Sequence, residues 1–149
     1  MTADNPRVFV PPPLMMAGLV GAGLAIDGAP IASGIVLVAA LVVGLAGLGL
    51  IAAALGLFRQ KQTRPEPWRE ASFLVAAGPY RFTRNPMYLG MTLIGLAVAI
   101  GLTSLAAALF ALLGALIIDR FVIAREEAYL IRRFGDDYRG YRARVRRWL

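Results

Sequence analysis

Long uncharged stretches alternate with short polar ones along the chain, and the lengths of the uncharged stretches set the first expectations. Leu14 to Ile26 is a short apolar run that becomes a full span only when Val8 to Pro13 is added, giving a first span over 8–26. It ends in Asp27-Gly28-Ala29-Pro30, a turn signal. Ile31 to Phe58 is 28 residues without a charge. As a helix it would be about 42 Å long, more than the roughly 30 Å of a bilayer's hydrocarbon core, so it must tilt or protrude. Leu89 to Ile118 is 30 uncharged residues interrupted by Gly101-Leu102-Thr103-Ser104. That interruption predicts a helical hairpin with arms over 87–101 and 104–122. The pattern therefore predicts an all-α integral membrane protein of about four transmembrane helices, the last two a hairpin, in a single domain.

Charge orients these spans. The connection 59–86 carries six basic and two acidic residues between Arg59 and Arg84, and Asp119 to Leu149 carries nine basic and five acidic. Arginine-rich connections stay on the cytoplasmic side. Both termini are thus expected in the cytoplasm, with a cytoplasmic loop over 59–86 and cytoplasmic helices over 123–149. A cleaved leader is not expected, because the initial segment has one arginine and Pro11 to Pro13 interrupt the apolar run. Hydrophobic residues make up 58% of the chain and the net charge is +7. Membrane-flanking arginines and anionic headgroups account for that charge without nucleic acid.

The absence of cysteine and histidine narrows the chemistry. Disulfides, thiol nucleophiles, His/Cys zinc sites and imidazole acid-base catalysis are excluded, and no metal site is expected. Carboxylates, arginines, tyrosines, backbone groups or a borrowed cofactor remain.

Two segments bear such groups. In the first, Gly78 to Gly90, Gly78-Pro79 signals a turn, and Asn85 before Pro86 has the form of a helix N-cap followed by proline at the first helical position. A helix starting there aims unpaired N-H groups and its positive dipole end at the polar segment, where an anion could be received. The same residues also describe an ordinary start of a transmembrane helix. In the second segment the last span should continue as helix to Gly135, with Asp136 or Asp137 capping a further helix to the end. Tyr138, Tyr141, Val145 and Trp148 would share one face of that helix, with arginines over much of the rest. Such a face lies on a membrane or closes over the protein's own polar site. Glu126-Glu127, bracketed by Arg120, Arg125, Arg132 and Arg133, is either a solvated ion-pair face or a ligand site on the same side as Tyr80 to Tyr88.

Gly-Pro-Tyr-Arg-Phe-Thr-Arg-Asn-Pro-Met-Tyr-Leu-Gly, a hydrophobic hairpin, and then Arg-Glu-Glu-Ala-Tyr-Leu-Ile-Arg-Arg-Phe-Gly-Asp-Asp-Tyr-Arg-Gly-Tyr-Arg-Ala-Arg-Val form an ordered pair. The pair resembles the integral-membrane methyltransferases, which include the isoprenylcysteine carboxyl methyltransferases and the phospholipid methyltransferases. The likeness covers about Leu74 to Leu149; before it only hydrophobicity and span count agree. It implies S-adenosylmethionine as methyl donor, a lipophilic acceptor entering from the bilayer, membrane lipids as partners and a bacterial inner-membrane location. It also implies a cofactor site built from Tyr80, Asn85, Pro86, Met87, Tyr88, Glu126 and Glu127, with Glu127, Arg125 and Arg84 as catalytic candidates. Asn85 stands where the isoprenylcysteine enzymes usually carry histidine, so neither branch's acceptor carries over. A lipid amine, an isoprenoid or fatty carboxylate and a hydrophobic thiol all stay open. A small four-helix transporter and a non-catalytic lipid-binding relative are the competing readings. Small residues such as Ala40 with Gly44 and Ala52 with Gly56 predict close helix packing, within one chain or between copies, so the oligomeric state stays open.

Overall fold

The computed structural model describes residues 10–60 and 73–149; the start of the expected first span and residues 61–72 of the expected loop over 59–86 lie outside them. Every regular element among the described residues is helical: α1 (Pro12–Asp27), α2 (Gly34–Gln60), α3 (Pro86–Gly101), α4 (Leu105–Ile117), α5 (Ala124–Phe134) and α6 (Asp136–Arg144). A single 3-10 turn, Gly78–Arg81, precedes α3, and a π-helical turn, Ile118–Ile123, joins α4 to α5 without a break. Among the described residues two helices are long and apolar enough to cross a membrane, α2 with 27 residues and the continuous Leu105–Phe134 with 30. The latter is uncharged only as far as Ile118 and carries charges from Asp119 onward. The helices α1 and α3 have 16 residues each, about 24 Å.

The centre of the bundle is α3, which packs against α1, α2 and α4, while α1 also packs against α4. Beyond Pro86 and Tyr88 its buried positions are small: Gly90, Thr92, Gly95, Ala97 and Ala99. Small side chains let backbones approach, and here the approach is close. A Cβ built on Gly90 would sit 2.6 Å from the Gly47 carbonyl oxygen, and one on Gly23 would overlap the backbone of Ala107. These contacts sharpen the expectation from glycine spacing. Gly44 does face Ala97, but Gly56 meets nothing, and the decisive crossings use Gly47, Gly90 and Gly23 instead. Outward residues are large and apolar, including Leu41, Leu45 and Leu48 on α2 and Leu105, Leu109 and Leu112 on α4. Aliphatic side chains on the outside and glycine at the contacts reverse the pattern of a protein folded in water.

At one end of the bundle the hairpin turns where expected. Thr103 takes a left-handed φ of 41°, unusual for a β-branched residue, and its hydroxyl donates to the Pro30 carbonyl at 2.9 Å. Ser104 caps α4 by accepting from the Ala107 N-H at 3.0 Å. The Asp27 carboxylate accepts from the Ser104 hydroxyl at 3.0 Å and the Ala106 N-H at 2.7 Å, tying the end of α1 to the start of α4.

At the other end two expectations change. Asn85 occupies the N-cap position of α3, yet its side chain makes no cap hydrogen bond. The final helix begins at Asp136 with no side-chain cap and stops at Arg144. Gly135, with φ 55°, supplies the break between α5 and α6 as expected, a conformation open to glycine. Past Arg144 the backbone is extended at Val145, so residues 145–149 lie across the bundle end and do not continue an amphipathic helix.

Candidate functional site

The site grows from the two ends of α3's polar approach. Gly78–Arg81 forms the 3-10 turn that buries Tyr80 between elements. The Tyr80 ring meets Phe58 edge-on with centroids 6.0 Å apart, and its carbonyl accepts from the Tyr141 hydroxyl at 2.7 Å. Tyr80, Tyr138, Tyr141, Val75 and Ala54 make one apolar cluster, against which the half-buried Met87 packs. The aromatic face of α6 is therefore turned onto the protein.

The polar part lies beside this cluster. Glu127 is buried and receives three guanidinium contacts: Arg84 Nη2 at 2.9 Å, Arg147 Nε at 3.1 Å and Arg147 Nη2 at 2.6 Å. Arg147 Nη1 also donates to both oxygens of Asp119 at 3.2 Å, and the Trp148 indole N-H donates to the same carboxylate at 2.9 Å. Segment 145–149 is held along its backbone as well. The Arg84 N-H donates to the Arg146 carbonyl at 2.9 Å, while the Thr83 hydroxyl and the Asn85 amide donate to the Arg147 carbonyl at 3.1 and 2.9 Å. This is where the Asn85 side chain goes in place of capping α3. Arg84 donates through Nη1 to the Arg142 carbonyl at 3.3 Å, and its Nε is buried without an acceptor.

Glu126, next to Glu127 in sequence, has a different environment. Its Oε1 accepts from the Tyr88 hydroxyl at 2.6 Å, a pair 38 residues apart brought together by the hairpin. Burial pushes its carboxyl up to about 7; the Tyr88 bond pulls the other way and the Glu127 charge adds to the rise. The hydrogen bonds that Arg147 donates to Glu127 hold its guanidinium above its ordinary value, against a desolvation cost. Two adjacent carboxylates thus differ sharply. One is saturated by arginines, and the other meets a phenol.

The π turn bears on this geometry. In a regular α-helix, at about 100° per residue, Asp119 and Glu127 would point about 80° apart. A π turn rotates less per residue, which narrows that offset. One guanidinium can then reach both carboxylates.

Of the residues expected at the site, Arg84, Asn85, Pro86, Tyr88, Glu126 and Glu127 come together here. Pro86 is buried in the first turn of α3. Tyr80 and Met87 sit in the adjoining apolar cluster. Arg125 is exposed on α5. Thr83, Asp119, Arg147 and Trp148 were not anticipated. Asp119 had a visible signal, being the first charge after the uncharged run that ends at Ile118, whereas Arg147 was one arginine among many.

The family model of the phospholipid methyltransferases matches residues 34–137, spanning α2 to the start of α6 and including the first motif and the second as far as Asp137. The chain belongs to the phospholipid methyltransferase family. An uncharacterized protein of Haemophilus influenzae is 49% identical over 63 residues, which are 42% of this chain and 100% of that protein. No solved structure matches the chain. Membership in the phospholipid methyltransferase family implies methyltransferase chemistry on a lipid and association with a membrane, in keeping with the two long apolar helices.

Proposed function

We propose that the protein catalyses S-adenosylmethionine-dependent methyl transfer to a lipophilic acceptor at a membrane boundary. In this reading α1 to α4 cross a bacterial inner membrane as four spans, and both termini and the Glu126 site face the cytoplasm. The observation that carries it is the meeting of Tyr88 with Glu126 at 2.6 Å, which joins the two halves of the family motif in one place.

The residues present suit such a donor. Its amino group or ribose hydroxyls need an acceptor, and Glu126 is a partly buried carboxylate that accepts a hydrogen bond from the Tyr88 phenol. Its carboxylate needs a donor, and the Arg84 Nε is a buried N-H with no acceptor. When bound, S-adenosylmethionine supplies a methyl group activated by a sulfonium. The protein's work is to align that methyl with the acceptor and keep water out. Glu127, already held by two arginines, fixes the polar wall and does not contact the reactants. Arg125 is assigned to a headgroup phosphate at the surface. An amine acceptor must lose a proton, and Glu126, with its carboxyl near 7, takes that proton near neutral pH. A carboxylate or thiolate acceptor needs no such base.

A transporter gains no support, since Gly34 to Phe58 and Leu89 to Ile118 hold no ionisable acid or base with which to couple transport. Titration calorimetry of S-adenosylmethionine and its demethylated product into detergent-purified protein tests the proposal. Binding by wild type, weakened at least about tenfold in Glu126→Gln and Tyr88→Phe, is expected for a direct polar contact. Absence of binding at millimolar ligand would sink it. Incubating native membranes with methyl-labelled donor and extracting labelled lipid then identifies the acceptor, and separates an enzyme from a lipid-binding relative that has lost turnover.

A further inference from the structure

Arg147 stands at a junction. Its backbone carbonyl is gripped from the approach to α3 by Thr83 and Asn85, and its guanidinium grips the start of α5 at Glu127 and the π turn at Asp119. One residue therefore spans the two elements that carry Tyr88 and Glu126. Charge balance alone does not call for this arrangement. Arg84 already pairs with Glu127 at 2.9 Å, and Arg120 lies 3.5 Å from Asp119. What Arg147 adds is geometry: a planar fork contacting both oxygens of Glu127 fixes the carboxylate plane, which a point charge does not.

We propose that Arg147 is a positioning residue for the cofactor site, setting the placement of Glu126 through Glu127 with Asp119 as its second anchor. Glu126 and Glu127 share the first turn of α5, so the rotation that seats Glu127 in the guanidinium fork also sets where Glu126 points. The bonds from Thr83 and Asn85 fix the fork relative to α3, and hence relative to Tyr88. Segment 145–149 is in this way a brace between the two motif halves. It contributes no group to the reactants.

The inference rests on the methyl-transfer reading, and its test separates the two. Calorimetry with S-adenosylmethionine is run on wild type, Arg147→Gln, Glu126→Gln and the double variant, alongside hydrogen exchange of residues 124–130 without ligand. Arg147→Gln should weaken binding about tenfold, and the double variant should be no weaker than the weaker single, because groups acting through one another are not additive. Arg147→Lys should recover part of the loss, and it serves as the folding-competent variant if Arg147→Gln does not purify as a single species. Amides of 124–130 should exchange faster in the Arg147 variants, while those of Ala106 and Ala107 at the far end stay unchanged. If wild type fails to bind, the methyl-transfer reading falls, and exchange still decides the brace. Additive losses with Glu126→Gln, or unchanged exchange at 124–130, would overturn the positioning role.

Discussion

Each end of the bundle is closed by carboxylates, but the charge is met in two ways. At the hairpin end Asp27 faces a hydroxyl and the Ala106 N-H in the first turn of α4, so the partial positive charge of a helix start balances it, and no arginine among the described residues takes part. At the motif end Asp119 and Glu127 are balanced by full charges on Arg84 and Arg147. A helix start is part of the fold and cannot be released without unwinding it. Arginine pairs are held by side chains from separate segments, so they can be arranged around a third group. The first solution is a clasp; the second encloses Glu126, whose hydrogen bond comes from Tyr88.

The largest expected effect breaks the second solution. Glu127→Gln leaves two arginines short of their counter-charge, and removing one partner of a buried pair costs about 3–5 kcal/mol. Thermal unfolding in detergent should show that loss together with loss of cofactor binding, whereas Glu126→Gln should lose binding without any loss of stability. Equal destabilisation by the two would erase the distinction between the carboxylates. Gly23→Ala acts on the first solution: its methyl meets the Ala107 backbone and pushes α1 from α4, with a cost of about 1–3 kcal/mol. Asp27→Asn keeps an acceptor but removes the charge, so about 1 kcal/mol of stability should go with no change in cofactor affinity. A change in affinity would mean that the two ends are coupled through α3.

A pH series sharpens the contrast further. The folded carboxyl of Glu126 sits at about 7 against an ordinary 4.5, so the fold favours its protonated form. The stabilisation is complete below 4.5 and is lost as pH rises through 7, and Glu126→Gln should therefore gain stability relative to wild type across that window. Unfolding temperatures of both proteins at pH 5 and pH 8 would check the sign. At the small end of the scale, the exposed pair of Arg139 with Asp136 should contribute under about 1 kcal/mol, measured as the unfolding shift in Arg139→Ala.

Much of this was legible because the hydrophobic pattern is strong. The break at Gly101 to Ser104, the helix running on past Asp119 and the glycine stop at 135 are local events written in local residues. The juxtaposition of Tyr88 with Glu126 was legible only as topology: a hairpin returns its two arms to the same side. Asn85 misled locally, because a side chain suited to capping was drawn to the Arg147 carbonyl 62 residues away. The π turn left no signature, since Ile118 to Ile123 reads as ordinary amphipathic helix. Arg147 could not be singled out among nine basic residues after Asp119, because its importance lies in an extended backbone that no local pattern announces.

The grip of Thr83, Asn85 and Glu127 on segment 145–149 also dictates an order of assembly. On a ribosome, the Tyr88 helix and then Glu126 are made before Arg147 exists, and the bonds from Thr83 and Asn85 close loops of more than sixty residues. A nascent chain already committed to the membrane would hold its motif residues unbraced until synthesis passes position 147. On the proposed reading, the site waits for synthesis to pass position 147, and a chain stopped before it would carry both motif segments without the residue that holds them in register.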